Sequence, residues 1–69
     1  MKGGDDMKRN FRLKEARYHK SMTQKQLAEA IEMPLITYTL KENGKNPFNE
    51  IEIKKICQVL ERDVSDLFF

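Results

Sequence analysis

Cysteine, histidine and tryptophan are almost absent from this sequence, which has one cysteine, one histidine and no tryptophan in 69 residues. Cys57 has no second cysteine with which to form a disulfide, and Cys57 with His19 supplies too few ligands for a metal site. Catalysis by a nucleophile and a base needs partners that this chain hardly supplies, so we expect no enzyme. We also expect no small-molecule cofactor.

Long apolar runs are absent as well. No stretch approaches the roughly 18 apolar residues that span a membrane, and nothing resembles the apolar core of a signal peptide. The sequence therefore predicts a cytoplasmic protein with no membrane partner. Hydrophobic residues make up 39% of the chain, which is typical of globular rather than disordered proteins.

The length of the chain leaves room for one small domain, which buries only about 60% of the surface that it exposes when unfolded. Residues 1–6, "MKGGDD", contain two glycines and precede a second methionine. We therefore expect residues 1–6 to be a flexible leader or a cloning remnant. Residues 7–69 are expected to form the single domain.

Charge is distributed unevenly along the chain. Residues 1–25 carry eight basic and three acidic residues, whereas the remainder carries five basic and eight acidic residues. Such asymmetry indicates one face that meets a polyanion and another that is turned away from it. A basic helix that is merely solvated explains the pattern equally well.

Capping signals divide the chain into helices. A first helix is expected from about Asp6 to Lys20, and Thr23 with its capping box starts a second. Pro34 fits the first turn of a third helix, which Gly44 closes in a left-handed cap. Asn49 caps a fourth helix, and the last residues suffice for one more helical turn. Apolar residues at helical spacing predict the core: Leu13, Ala16, Leu27, Ala28, Ile31, Ile53, Ile56, Cys57 and Leu60.

Three segments of the chain, "MTQKQLAEAI", "TYTLKENGK" and "VSDLF", occur in this order and spacing with Pro47 and Phe48 between the last two. Together they resemble the Cro/CI-type, lambda-repressor-like helix-turn-helix family, which includes the xenobiotic-response-element regulators. The resemblance covers roughly Leu13 to Phe68. It implies an all-α, compact five-helix DNA-binding domain with the helix-turn-helix at helices 2 and 3.

The function that this resemblance implies is sequence-specific transcriptional regulation, as a repressor from a phage, mobile element or bacterial chromosome. The partners would be a double-stranded DNA operator and a second copy of the chain. The recognition helix, about Pro34–Asn43, would enter the major groove. The alternative is a protein-interaction module on the same fold, an antitoxin or accessory subunit that uses the apolar face of helix 3.

Site residues follow from the resemblance position by position. An Arg17–Glu42 pair is expected between helices 1 and 3, against the alternative of two separate surface charges. The expected base contacts are Leu35, Ile36, Thr39 and Leu40. The expected backbone contacts are Thr23, Gln24, Lys25, Thr37, Asn43, Lys45 and Asn46. The expected dimer contacts are Val59, Leu67, Phe68 and Phe69.

Helix 3 departs from the family pattern, because relatives commonly carry polar residues where this chain has aliphatic ones. Three interpretations of Leu35, Ile36 and Leu40 stay open. They contact thymine methyl groups, they complete the core of a rotated helix, or they form a protein-docking surface. Two further departures, Glu32 and Ser21, replace residues that are often glycine, so positive φ angles are expected there.

Overall fold

Five helices form the protein, for which the computed structural model describes the backbone of residues 2–68 and the side chains of residues 11–68. No strand occurs among residues 2–68, and the predicted all-α, five-helix architecture is confirmed. The helices are α1 (Lys2–His19), α2 (Gln24–Ala30), α3 (Leu35–Glu42), α4 (Glu50–Leu60) and α5 (Val64–Phe68).

The first helix begins earlier than expected, at Lys2 rather than near Asp6. Its two glycines lower helix propensity without blocking a helix, since each keeps its backbone N–H. The side chains of residues 1–10 lie outside the described set, and the division into a leader and a domain at residue 7 stays a prediction.

Side-chain caps fix the starts of α2 and α4. The Thr23 Oγ1 accepts a hydrogen bond from the Gln26 N–H at 3.0 Å, and the Gln26 Oε1 accepts one from the Thr23 N–H at 2.8 Å. Asn49 and Glu52 repeat the arrangement at 2.8 and 2.9 Å. Both predicted caps are confirmed, because each satisfies backbone N–H groups that a helix leaves without partners.

Left-handed residues close the helices. Gly44 has φ 84°, and the Lys45 N–H donates to the Leu40 carbonyl at 2.9 Å, as in a Schellman motif. Ser21 and Glu32 adopt φ angles of 56° and 60°, as predicted. Glu61 also has a positive φ, of 57°, which was not predicted from the sequence.

The core lies where all five helices meet, with α1 packed against α5 and α2 against α3. Ala28 is buried at 1% exposure, and its small side chain lets α2 and α3 approach closely. Two residues predicted for the core, Ile53 and Cys57, are only half-buried. The buried apolar residues are Leu13, Ala16, Leu27, Ala28, Ile31, Tyr38, Ile56, Leu60 and Leu67.

Candidate nucleic-acid interface

The helix α3 presents two different faces. Tyr38 and Glu42, one turn apart, are fully buried at 0% exposure. Ile36 and Leu40, exposed at 77% and 40%, lie on the opposite face, and Leu35 in the first turn is also exposed, at 42%. The interpretation that these three side chains complete the core of a rotated helix is therefore wrong. Thr37 and Thr39 lie between the two faces and are half-buried.

A buried ion pair fixes the rotation of α3 against α1. The Arg17 Nε donates to the Glu42 Oε2 at 2.9 Å, and the Arg17 Nη2 donates to Oε1 at 3.1 Å. The two side chains are 5% and 0% exposed, so the predicted pair is present and the alternative of separate surface charges is wrong. The Arg17 Nη1 also donates to the Met22 carbonyl at 2.9 Å.

Two more donors complete the surroundings of the Glu42 carboxylate. Tyr38 donates its hydroxyl to Oε2, and the Gln24 Nε2 donates to Oε1 at 2.6 Å. Burial by itself would raise the pKa of the Glu42 carboxyl, but hydrogen bonds from its three partners, led by Arg17, hold that pKa below its usual value. Burial and the bond to Glu42 raise the pKa of Tyr38, which therefore stays protonated and donates.

Apart from Thr37, which lies within α3, the side chains expected to contact the DNA backbone fall into two groups on either side of α3 in the chain. Thr23 and Lys25 are exposed at the start of α2, whereas Gln24 is half-buried. The Gln24 carboxamide nitrogen is occupied by Glu42, a contact that sequence reasoning missed. The second group, in the turn after α3, is exposed: Asn43, Lys45 and Asn46.

A second ion pair, between α3 and α4, was also missed. The Lys41 Nζ donates to both carboxylate oxygens of Glu52 at 2.7 and 2.8 Å, and the two side chains are 15% and 19% exposed. Burial would raise the pKa of Glu52, but the hydrogen bond from Lys41 and that from the Asn49 N–H lower it. The Lys41 ammonium thus ties α3 to α4.

The expected dimer contacts differ in exposure. Leu67 is fully buried in the core of its own chain, and its helix, α5, packs against α1. It is therefore unsuited to contact a second copy. Val59 and Phe68 are half-buried, and Phe68 packs edge-on against Phe48 with ring centroids 5.7 Å apart. Phe69 lies outside the described residues.

Other kinds of site receive little support within the described residues. No group of three or more metal-ligating side chains occurs there. No helix of that part of the chain has the length and apolar character needed to cross a membrane. Cys57 is half-buried. Burial is the larger cause, and the negative charge of Asp63 the smaller, of the raised pKa of its thiol.

Comparison with known proteins gives a family-level match. The model of a family described as helix-turn-helix matches residues 13–67. None of the curated proteins and none of the solved structures compared with the chain matches it. The matched segment runs from Leu13 in α1 to Leu67 in α5, so it contains all the buried apolar residues described above.

Proposed function

Since the chain belongs to the Cro/CI-type helix-turn-helix family of DNA-binding regulators, we propose that it binds a specific double-stranded DNA operator and represses transcription there. In this proposal α3 is the recognition helix and lies in the major groove. The family membership confirms the resemblance inferred from the sequence. The operator, the repressor role and the homodimer are proposed in addition to the family membership.

The observation that carries the proposal is the orientation of α3. Tyr38 and Glu42 hold one face inward, and Ile36, at 77% exposure, lies on the face that points outward. A helix fixed in this way offers a stable set of side chains to a groove. The exposed residues Lys25 and Lys45 lie on opposite sides of α3 in the chain, where they support contacts to flanking phosphates.

Base recognition in this proposal depends on apolar contact. Leu35, Ile36 and Leu40 have no hydrogen-bonding side-chain atoms, so among bases in the major groove they favour the thymine C5-methyl group. The hydroxyl of Thr39 adds a hydrogen bond, and DNA shape supplies further discrimination. We therefore expect a thymine-rich operator.

The homodimer in this proposal uses Val59, Phe68 and Phe69. The two recognition helices would read half-sites about one helical turn, or ~34 Å, apart. A dimer seated on both half-sites would exclude other proteins from the same DNA. Exclusion of this kind is the simplest route by which so small a domain represses a promoter.

Selection from a randomised double-stranded DNA pool tests the proposal. We expect a palindromic, thymine-rich consensus, and the logarithm of its affinity should fall with the logarithm of salt concentration by about 0.9 per phosphate neutralised. Replacing a contacted thymine by uracil removes one methyl group and should weaken binding about fourfold, the equivalent of about 0.8 kcal/mol. Failure to enrich any sequence would refute the regulator.

A matched pair of variants tests the role of α3. Ile36→Gln should change the selected consensus, because glutamine pairs with adenine rather than with a thymine methyl group. Ile51→Gln makes the same substitution at an isoleucine of α4 that is 67% exposed and outside the expected contacts. It should leave the consensus unchanged. An unchanged consensus with Ile36→Gln would remove α3 from base recognition.

A second candidate function rests on the same exposed aliphatic strip. Contiguous exposed apolar side chains often mark protein interfaces, so Leu35, Ile36 and Leu40 would suit an antitoxin or accessory subunit. In that case Ile36→Gln should abolish a protein complex and leave any weak DNA binding as it was. The selection experiment separates the two functions, because an interaction module enriches no DNA sequence.

A further inference from the structure

A groove open to solvent lies between α1, the turn that follows it and the first residue of α3. Its walls include Lys14 and Tyr18 of α1, Ser21 of the turn, Lys25 of α2 and Leu35 of α3. Its volume is about 620 Å³. No acidic residue of the described chain lines this groove, although the sequence has 11 of them. The α1–α2 groove is therefore complementary in charge to an anion.

The cations of the α1–α2 groove are available to a ligand. Lys14 of α1 and Lys25 of α2 both line it. Neither ammonium group forms an ion pair with a carboxylate of residues 11–68. Arg17 also lines the groove, but its guanidinium is bound to Glu42. Its charge is thus already compensated, and the two lysines supply the attraction.

The aromatic wall of the groove is held in place before any ligand arrives. Tyr18 is 65% exposed, and the Arg17 Cζ lies 4.8 Å from the centroid of its ring. The ion pair with Glu42 holds Arg17 in turn. An exposed ring that packs on a fixed guanidinium offers a preorganised apolar surface in the same groove as the two lysines.

We propose that the α1–α2 groove seats the sugar–phosphate backbone of the DNA whose bases α3 reads, an inference that rests on the proposed function. A phosphate would lie between Lys14 and Lys25, and the adjoining deoxyribose would pack on the Tyr18 ring. Leu35 belongs both to the groove and to the exposed face of α3, so the two surfaces are continuous. Lys14 and Tyr18 thereby join the DNA-contacting surface, although neither was among the contacts implied by the family.

Removal of the Lys14 charge tests the phosphate. Lys14→Gln removes one charge from each subunit of the dimer, so the log–log salt dependence of operator binding should become shallower by about 1.8. Its affinity loss should then be about 12-fold greater at 50 mM than at 200 mM salt. The control is Lys54→Gln, at an exposed lysine of α4 outside the groove. An equal slope for Lys14→Gln and the wild type would refute the phosphate contact.

Removal of the ring tests the sugar contact. Tyr18→Ala should weaken binding to operator and non-operator DNA alike by about fivefold for each bound subunit, which corresponds to about 40 Å² of ring surface buried against deoxyribose per subunit. The control is Phe11→Ala, at another aromatic residue of α1 that is 56% exposed and outside the groove. Circular dichroism should give wild-type helicity for both variants, because neither side chain is in the core. Equal affinities for the two variants would overturn the sugar contact.

A double-mutant cycle between protein and DNA locates the phosphate. Methylphosphonates are placed one at a time along the selected operator, and each removes one backbone charge. At one position per half-site the penalty of Lys14→Gln should disappear, and a penalty that persists at every position would refute the inference. The selection experiment with the wild-type protein is independent of this cycle. If the protein selects an operator but no such position is found, the groove contact is refuted and the proposed function stands.

Discussion

Replacement of Glu42 by glutamine gives the sharpest test of how α3 is held. Glu42→Gln keeps the size of the side chain but removes the charge that compensates Arg17, whose side chain is 5% exposed. Loss of one partner of a buried pair costs about 3–5 kcal/mol. The Met22 carbonyl still accepts from Arg17, and glutamine keeps one acceptor oxygen, so we expect about 3 kcal/mol. The total free energy of unfolding of a domain of this size is about 3–10 kcal/mol.

Thermal and urea unfolding followed by circular dichroism at pH 7 measure this loss. About 3 kcal/mol should lower Tm by about 12–24 °C in a domain of this size. The control is Glu61→Gln, whose pair with Lys20 at 2.7 Å has both side chains substantially exposed, and it should change Tm little. A loss below about 1 kcal/mol for Glu42→Gln would refute the argument that burial makes this pair essential.

A double variant separates the lost pair from other effects of the substitution. In Arg17→Met/Glu42→Gln no buried charge is left, so this variant should be more stable than Glu42→Gln alone. The coupling between the two sites should reach about 2 kcal/mol. Losses that add without coupling would show that the pair itself contributes nothing beyond its separate residues.

The pH dependence follows from the same carboxylate. The pKa of Glu42 is lower in the folded protein than its usual value, whereas in the unfolded chain it is about 4.3. Its contribution to stability is thus fully present above about pH 4.3 and is lost as pH falls through the folded pKa. Urea unfolding between pH 2 and 6 should show this decline, and the decline should be smaller in Glu42→Gln.

Three further predictions concern the turn, the second ion pair and the thiol. Glu32→Gly should raise the free energy of unfolding, measured with urea, by about 0.5–1 kcal/mol, since glycine adopts the φ of 60° at this position without a Cβ penalty. The control, Glu29→Gly inside α2, should lower it by about 1 kcal/mol. Lys41→Met should cost about 1–2 kcal/mol of unfolding free energy, because the hydrogen bonds to Glu52 at 2.7 and 2.8 Å are charged and largely buried. Cys57 should alkylate more slowly at pH 7 than a free thiol, followed by mass spectrometry, because its pKa is raised.

The parts of the fold that could be predicted from the sequence are those with local causes. Thr23 and Asn49 cap helices through partners three residues away, and Gly44 supplies a positive φ that few other residues adopt easily. Such signals lie within a short stretch of chain and need no knowledge of packing. Such local signals do not show which face of α3 is buried, because apolar residues occupy both faces of this helix.

The features that escaped prediction depend on contacts between distant segments. Gln24 reaches Glu42 across 18 residues, and its position at the start of α2 gave no sign of an inward-facing carboxamide. Lys41 meets Glu52 across 11 residues, and no local pattern in the sequence pairs these two side chains. Leu67 is an apolar residue that fits an interface as well as a core. Only the packing of α5 on α1 shows that it belongs to the core.

Hydrophobicity alone does not determine which face of α3 is buried. The outward residues Leu35, Ile36 and Leu40 are at least as apolar as the inward pair, so burial of either face would remove apolar surface from water. The carboxylate of Glu42 decides which face is buried, because Arg17 and two other donors bind it in the observed orientation. A rotated helix would leave the buried charge of Arg17 without its partner. The polar network therefore determines the rotation of the helix. The same network leaves the aliphatic face exposed, where it is available to a DNA groove.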